Sequence, residues 1–247
     1  MGSRDSLRYN VHVGDGRGKY GLDAPWALTG LMLGTVLLVA LAAVSFVTGI
    51  LVTGVVFTSG AVYTLASAAS HLYTTRRGRF AVWGEELDRL EGGEDVLDLG
   101  CGRGAVLLLA ARRLSSGRAT GVDPWRSTGE PLTRANAEAE GVSERVDLVT
   151  ADLHELPFGD ERFDVVVSAL ALHRVPGAAG REQALREAYR VLRPGGLLLV
   201  ADVRHVPAYE AVLRGLGARD VHSRDLGRRY WYGGPWARTR MVEALKV

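Results

Sequence analysis

The chain has 247 residues, long enough for one α/β domain plus a modest extra element. A single cysteine among them excludes an internal disulfide and a cysteine-rich metal site, and suits a reducing compartment. The net charge of +2 comes from scattered residues, which argues against nucleic acid as a partner.

The charge is unevenly distributed along the chain. From Ala24 to Ser70 there is no Asp, Glu, Lys, Arg or His, and charge is dense on both sides. An α-helix needs roughly 20 apolar residues to cross the hydrocarbon core, so this stretch suits two spanning helices joined by a tight turn. The expected spans are Trp26–Val47 and Ile50–Leu72, turning at Thr48-Gly49. They divide the chain into an N-terminal segment 1–25, a hairpin 26–73 and a domain 74–247. Arg4, Arg8, Arg17 and Lys19 precede the hairpin, and Arg76, Arg77 and Arg79 follow it. Lys and Arg at membrane ends mark the cytoplasmic side, so a multi-pass protein of the cell (inner) membrane is expected, with both termini and the domain inside. Trp26 and Tyr73 stand where aromatic rings favour headgroups. A cleaved leader has a shorter apolar core and starts earlier; a buried soluble hairpin is the other alternative. Gly30 and Gly34, a Gly-x-x-x-Gly step, are read as packing within the hairpin.

Beyond Arg79 the pattern changes. Phe80–Leu90 reads as an amphipathic helix and Asp95–Leu99 as a short buried strand. Gly100-Cys101-Gly102-Arg103-Gly104 follows, and then Ala105–Leu114, which is free of Gly and Pro and therefore helical. Strand, glycine loop, helix opens a doubly wound fold, whose ligands sit beyond the carboxyl ends of the strands. The spacing is neither Gly-x-Gly-x-x-Gly nor a phosphate loop ending in Gly-Lys-Ser/Thr. Further strands are expected at Ala119–Val122, Arg145–Thr150, Phe163–Ser168, Leu197–Ala201, Asp220–His222 and Met241–Ala244. A helix Arg181–Leu192 should stop at Arg193-Pro194-Gly195-Gly196. An acid at Asp123, some 20 residues past the glycines, suits a ribose diol.

From Phe80 to Val247 the chain resembles the class I S-adenosylmethionine-dependent methyltransferases of the methyltransferase-11/UbiE-like type. The resemblance rests on Val96-Leu97-Asp98-Leu99-Gly100-Cys101-Gly102-Arg103-Gly104, the acids Asp123 and Asp152, and the Leu192-Arg193-Pro194-Gly195-Gly196 turn before an apolar strand. It implies a Rossmann-like, mostly parallel seven-stranded sheet with its last strand antiparallel, and S-adenosylmethionine as cofactor, leaving as S-adenosylhomocysteine. It also implies that the glycines contact the methionine and ribose portions, Asp98 the amino group, Asp123 the ribose, and Asp152 and the Leu153 backbone the adenine. Pro124 and Ser168 complete the expected cofactor set. Trp125 either covers the adenine or packs at a strand end. Cys101 is read as a small residue packed under the loop.

Histidine takes protons near neutrality, so His173, just past the fourth strand, is the candidate base, against a reading in which it only packs. His205 is a weaker candidate. No histidine spacing suggests a metal. The aromatics Tyr230, Trp231, Tyr232 and Trp236 could pack on a sheet edge, line an acceptor pocket or meet a membrane surface. The expectation is a membrane-anchored methyltransferase whose small acceptor is apolar, because the hairpin holds the site beside the bilayer. A cofactor-binding sensor or scaffold without catalysis is the alternative. A nicotinamide-dependent oxidoreductase is disfavoured by the glycine spacing.

Overall fold

A computed structural model describes residues 18–125 and 129–247. Arg4, Arg8 and Arg17, three of the basic residues flanking the hairpin, lie outside them. The apolar stretch forms two helices, α1 (Pro25–Val47) and α2 (Leu51–Tyr73). Proline at the start of α1 sacrifices no hydrogen bond, because the first turn has no acceptor for its N–H. Gly49, at φ 80, makes the turn between the helices. Both helices are long and apolar enough to cross a membrane.

Gly30 and Gly34 do not pack within the hairpin as expected. A Cβ at either would meet nothing within 4 Å, so both face outward. The close approach is made instead by Gly54 against Phe46 and Gly60 against Leu38. A hydrogen bond between the Thr35 and Thr64 hydroxyls, at 2.8 Å, ties the two helices together.

The boundary expected at residue 74 falls inside a helix that does not break. A π-helical turn, Thr74–Gly78, carries α2 directly into α3 (Arg79–Leu87), which ends earlier than expected. The hairpin is thereby joined to the domain by continuous helix rather than by a linker.

The domain is built from β1 (Asp95–Leu99), α4 (Ala105–Arg113), β2 (Arg118–Asp123), α5 (Glu130–Glu140), β3 (Val146–Thr150), β4 (Phe163–Ala169), α6 (Ala178–Val191), β5 (Leu192–Asp202), α7 (Val206–Gly215), β6 (Arg219–Asp225) and β7 (Arg240–Leu245). The seven strands form one sheet in the order β3-β2-β1-β4-β5-β7-β6, with β7 antiparallel to both neighbours. Strand β5 starts at Leu192, ahead of the expected Leu197. Leu192 pairs with Phe163, the register then jumps to Val165–Leu197, and the Pro-Gly-Gly residues form the bulge between. Gly195 N–H donates to Lys246 O at 2.9 Å, so the bulge is held by the chain's last residues.

Strand residues alternate between two cores, as a period of two requires. Val96 packs with Trp83, Leu107 and Leu108 on one face; Leu97 and Leu99 pack with Leu185, Tyr209 and Leu213 on the other. Helices on both faces explain why the parallel strands read as near-continuous apolar runs. Asp98 shares the face of Val96, and so points a carboxyl under the first turn of α4.

Candidate functional site

The strand order reverses between β1 and β4, and a crevice is expected at that point beyond the strand ends. A cavity of about 650 Å³ lies there. Its floor is Asp98, Gly100, Cys101, Gly102 and Asp123, and Leu170, His173 and Tyr230 form one wall.

The glycine loop has to bend where side chains would obstruct it. Gly100 adopts φ 71, and a Cβ there would lie 2.2 Å from the Ala171 Cβ. Gly102 adopts φ 52 with nothing near its missing Cβ, which leaves bare backbone at the cavity floor. The loop is fastened from below and behind. Gly100 N–H donates to Val122 O (2.7 Å), Gly102 N–H to Asp123 Oδ2 (3.0 Å), and Thr133 Oγ1 and Trp125 Nε1 both donate to Gly102 O (2.6 and 3.0 Å). Gly104 caps α4 at φ 84 and is not part of the cavity wall.

Asp98 is buried, and its Oδ1 has no hydrogen-bond partner. Burial raises its pKa to about 7; the Leu107 backbone N–H works against the rise, and the nearby Asp123 carboxylate adds to it. A buried, half-satisfied carboxyl is costly, and a cationic donor in the cavity would relieve that cost. An ammonium group fits this need. Asp123 accepts from Gly102 and, through Oδ1, from Trp125 N–H at 2.7 Å. A carboxylate has about four lone-pair sites, so it can still take a diol. Asp123→Ala is expected to weaken binding of S-adenosylhomocysteine by about 1–3 kcal/mol, measured by calorimetry. Unchanged affinity would remove Asp123 from the site.

Other expected residues lie elsewhere. Asp152 is exposed and pairs with His154 through both the backbone N–H (3.0 Å) and the ring Nδ1, outside the cavity lining. Leu153 is buried beneath Gly100. Pro124 is exposed, and Ser168 is buried with its hydroxyl given to Leu99 O at 3.0 Å. Trp125 is packed into the core with its indole tied to the loop, which matches the structural alternative. Cys101 packs its sulfur against Gly121 on β2; burial, reinforced by the Asp98 and Asp123 carboxylates, pushes its thiol pKa well up, so it is a poor nucleophile. His205 is exposed at the cap of α7 and is not among the residues that line the cavity.

The aromatic stretch is divided among several tasks. Tyr230 is buried, reaches the cavity and accepts from Trp83 Nε1 at 3.2 Å. The Trp231 carbonyl accepts from Ser70 (3.2 Å) and Thr74 (2.7 Å) on the second hairpin helix and the π turn. Trp236 is 58% exposed and lies against Tyr63, ring centres 5.0 Å apart. The segment is chiefly a socket for the foot of the hairpin.

Sequence reasoning missed the strap that closes the cavity. Residues 18–26 run over it into α1, and Tyr20, Leu22, Asp23 and Trp26 line it. One end is pinned to α5 by Lys19 N–H to Asn136 Oδ1 (2.7 Å) and Tyr20 OH to Glu140 Oε1 (2.8 Å). At the other end both Asp23 oxygens take Arg79 Nη1 at 2.7 Å, and Tyr232 OH donates to Asp23 Oδ2 at 2.7 Å. Arg79, counted above as a flanking charge, is therefore a buried latch. The lone Asp23 just before an uncharged stretch was the available signal.

A family model described as a methyltransferase domain matches residues 97–200. Phthiotriol/phenolphthiotriol dimycocerosates methyltransferase of Mycobacterium tuberculosis is 34% identical over 160 residues, 56% of this chain and 56% of that protein. Ubiquinone/menaquinone biosynthesis C-methyltransferase UbiE of Ruegeria sp. is 36% identical over 118 residues, 47% of this chain and 44% of its own length. The chain thus spans about half the length of these curated relatives. Among solved structures, the [4+2]-cyclase SpnF aligns with a TM-score of 0.58 at 23% identity, covering 69% of this chain and 82% of its own. A SAM-dependent methyltransferase from Aquifex aeolicus aligns at 0.54 and 20% identity, covering 66% and 89%. The fold is that of the class I S-adenosylmethionine-dependent methyltransferases. The cofactor that the matched domain indicates is S-adenosylmethionine, and the unpartnered Asp98 oxygen beside bare Gly102 backbone fits it.

Proposed function

We propose that the chain is an S-adenosylmethionine-dependent methyltransferase, anchored by its helical hairpin in the cell membrane, that methylates an amphiphilic, lipid-like acceptor drawn from the bilayer. One observation carries the reading: a single cavity connects the cofactor floor at Asp98 and Gly102 with Pro25 and Trp26, the first residues of α1. An acceptor held at the foot of the hairpin would reach the methyl group without entering water. Most of the hairpin's large apolar side chains have no cover in the protein, with Val36 66%, Val47 87% and Val52 77% exposed. A soluble core helix would bury such residues. Arg76 and Arg77 are exposed at the foot of α2, where basic residues favour the cytoplasmic side. The relatives named for phthiotriol dimycocerosates and for quinone biosynthesis point to the same class of acceptor.

The cofactor brings an activated methyl, so the chain's own residues have to bind, align and desolvate. Asp98 and Asp123 fix the cofactor's position, the strap excludes water, and the wall of Leu170, His173 and Tyr230 faces the acceptor. Alignment alone can supply a large part of the rate. The test is single-turnover transfer of labelled methyl from the full chain in nanodiscs loaded with a bacterial lipid extract. Label appearing in the organic phase is expected. Label confined to water-soluble acceptors would overturn the lipid reading. Tight cofactor binding with no transfer to any acceptor would favour a sensor or scaffold instead.

A further inference from the structure

His173 enters the cavity wall on a short 3-10 turn, Leu172–Arg174, directly after β4. Its side chain is 20% exposed, while Nδ1 is sealed from water 2.6 Å from Asp202 Oδ1, in ion-pair range though out of line for a hydrogen bond. The exposed part of the ring therefore belongs to its other atoms, and the only other polar one is Nε2.

Asp202 ends β5 and is fully buried. Its Oδ2 accepts from the His173 backbone N–H (2.9 Å) and from Tyr209 OH (3.2 Å), and its Oδ1 accepts from Val203 N–H (2.7 Å). These donors come from three separate segments, so the carboxylate cannot swing away from the ring. A buried acid costs stability unless its charge is compensated, and here three donors hold the carboxylate while the imidazole lies 2.6 Å from Oδ1. Nothing in the cofactor cradle requires Asp202.

We propose that Asp202 is a positioning residue that holds His173 in its Nδ1–H form, leaving Nε2 as a general base for a protic acceptor, which we take to be a hydroxyl group. The inference rests on the methyltransferase reading above. In the step, an oxygen lone pair forms the O–CH₃ bond as the S–CH₃ bond breaks, and sulfur keeps the electron pair as a neutral thioether. The hydroxyl proton passes to His173 Nε2, and the Asp202 carboxylate faces the imidazolium that results. A thioether or tertiary amine acceptor, with no proton to lose, would have no use for this pair.

The first test needs no acceptor. In the full chain, ¹⁵N-histidine labelled and saturated with S-adenosylhomocysteine in nanodiscs, the His173 signal (assigned with His173→Asn) should show a protonated Nδ1 and a bare Nε2. Asp202→Asn should mix the two tautomers. A proton on Nε2 in the unaltered protein overturns the proposal. The second test uses 4-alkylphenols in the same nanodiscs. His173→Asn and Asp202→Asn should slow single-turnover transfer about 100-fold, the lower end of general-base effects, while S-adenosylhomocysteine affinity stays within about 2-fold. A nitro-substituted phenol, already acidic, should be slowed less. Equal loss of rate and affinity, or transfer from the lipid extract to sulfur or nitrogen only, overturns it. If no acceptor is methylated at all, the reading under Proposed function fails, while the tautomer still decides whether the pair is built as described.

Discussion

Replacing Asp98 with Asn is expected to cut S-adenosylhomocysteine affinity by about 10–100-fold and to remove its dependence on pH; a charge-assisted hydrogen bond of roughly 1.5–3 kcal/mol is lost. The sign follows from the direction of the shift. Burial, chiefly, raises the Asp98 carboxyl from 3.8 to about 7, so the ligand-free fold binds this proton more tightly than the unfolded chain does. For this group stability is highest below about 3.8, falls as pH rises toward about 7, and stays at the lower level above it. The total fall is on the order of a few kcal/mol, since each pKa unit corresponds to about 1.4 kcal/mol. An ammonium ligand wants the ionised carboxyl, so affinity should rise with pH and level off above about 7. Calorimetry from acid to alkaline pH reads the affinity, and melting of the ligand-free protein reads the stability. A flat profile in the unaltered protein would show that Asp98 does not meet the ligand's charge.

Gly78→Val is the second large effect, because it attacks the joint between hairpin and domain. A Cβ at Gly78 would lie 1.7 Å from the Arg229 carbonyl oxygen, a backbone atom that cannot rotate aside. The loop would have to lift, losing the Ser70 and Thr74 bonds to Trp231 O and the paired bonds from Arg229 to Glu85. Overpacking typically costs about 1–3 kcal/mol, and each hydrogen bond given up about 1 more. The variant should melt well below the parent, and protease should cut within residues 228–238. Because Tyr230 belongs both to that loop and to the cavity wall, cofactor affinity should fall too. Unchanged melting and protease resistance would show that the loop is not clamped to the helix.

The strands and the glycine loop could be read because their signals are local. Val96-Leu97-Asp98-Leu99 carries its own period, and Gly100 and Gly102 sit where the backbone turns left-handed. Asp98, one residue before the end of β1, and Asp123, the last residue of β2, could be placed at the cavity for the same reason. Helix α5 is equally legible: Pro131 in its first turn and Gly141 just past its end are ordinary start and stop signals. It carries Thr133 and Asn136, the side chains that steady the loop. The strap was not legible in this way. Its meaning comes from partners more than fifty residues distant in sequence, such as Arg79 for Asp23 and Glu140 for Tyr20, and no periodicity encodes such contacts. Asp202 is not legible in the sequence, because an acid at a strand end reads as a cap until the fold brings His173 beside it. Asp152, where the resemblance implies an adenine contact, bonds to His154 and lies outside the cavity lining, a position that chain order does not give.

If the hairpin spans a bilayer, as proposed, the perch of Trp236 on Tyr63 has a consequence for the lipid around it. Tyr63 stands ten residues from the lower end of α2, about 15 Å up the helix at 1.5 Å per residue. Above that level, Leu51 to Tyr63 measures only about 20 Å, against roughly 30 Å for a typical hydrocarbon core. With the hairpin immersed, the leaflet on this flank has to thin, or the helices to tilt, around a wedge of Gly, Pro and Trp. Such a dimple would bring acyl chains and headgroups down beside the domain, shortening the distance an amphiphile must climb to leave the bilayer.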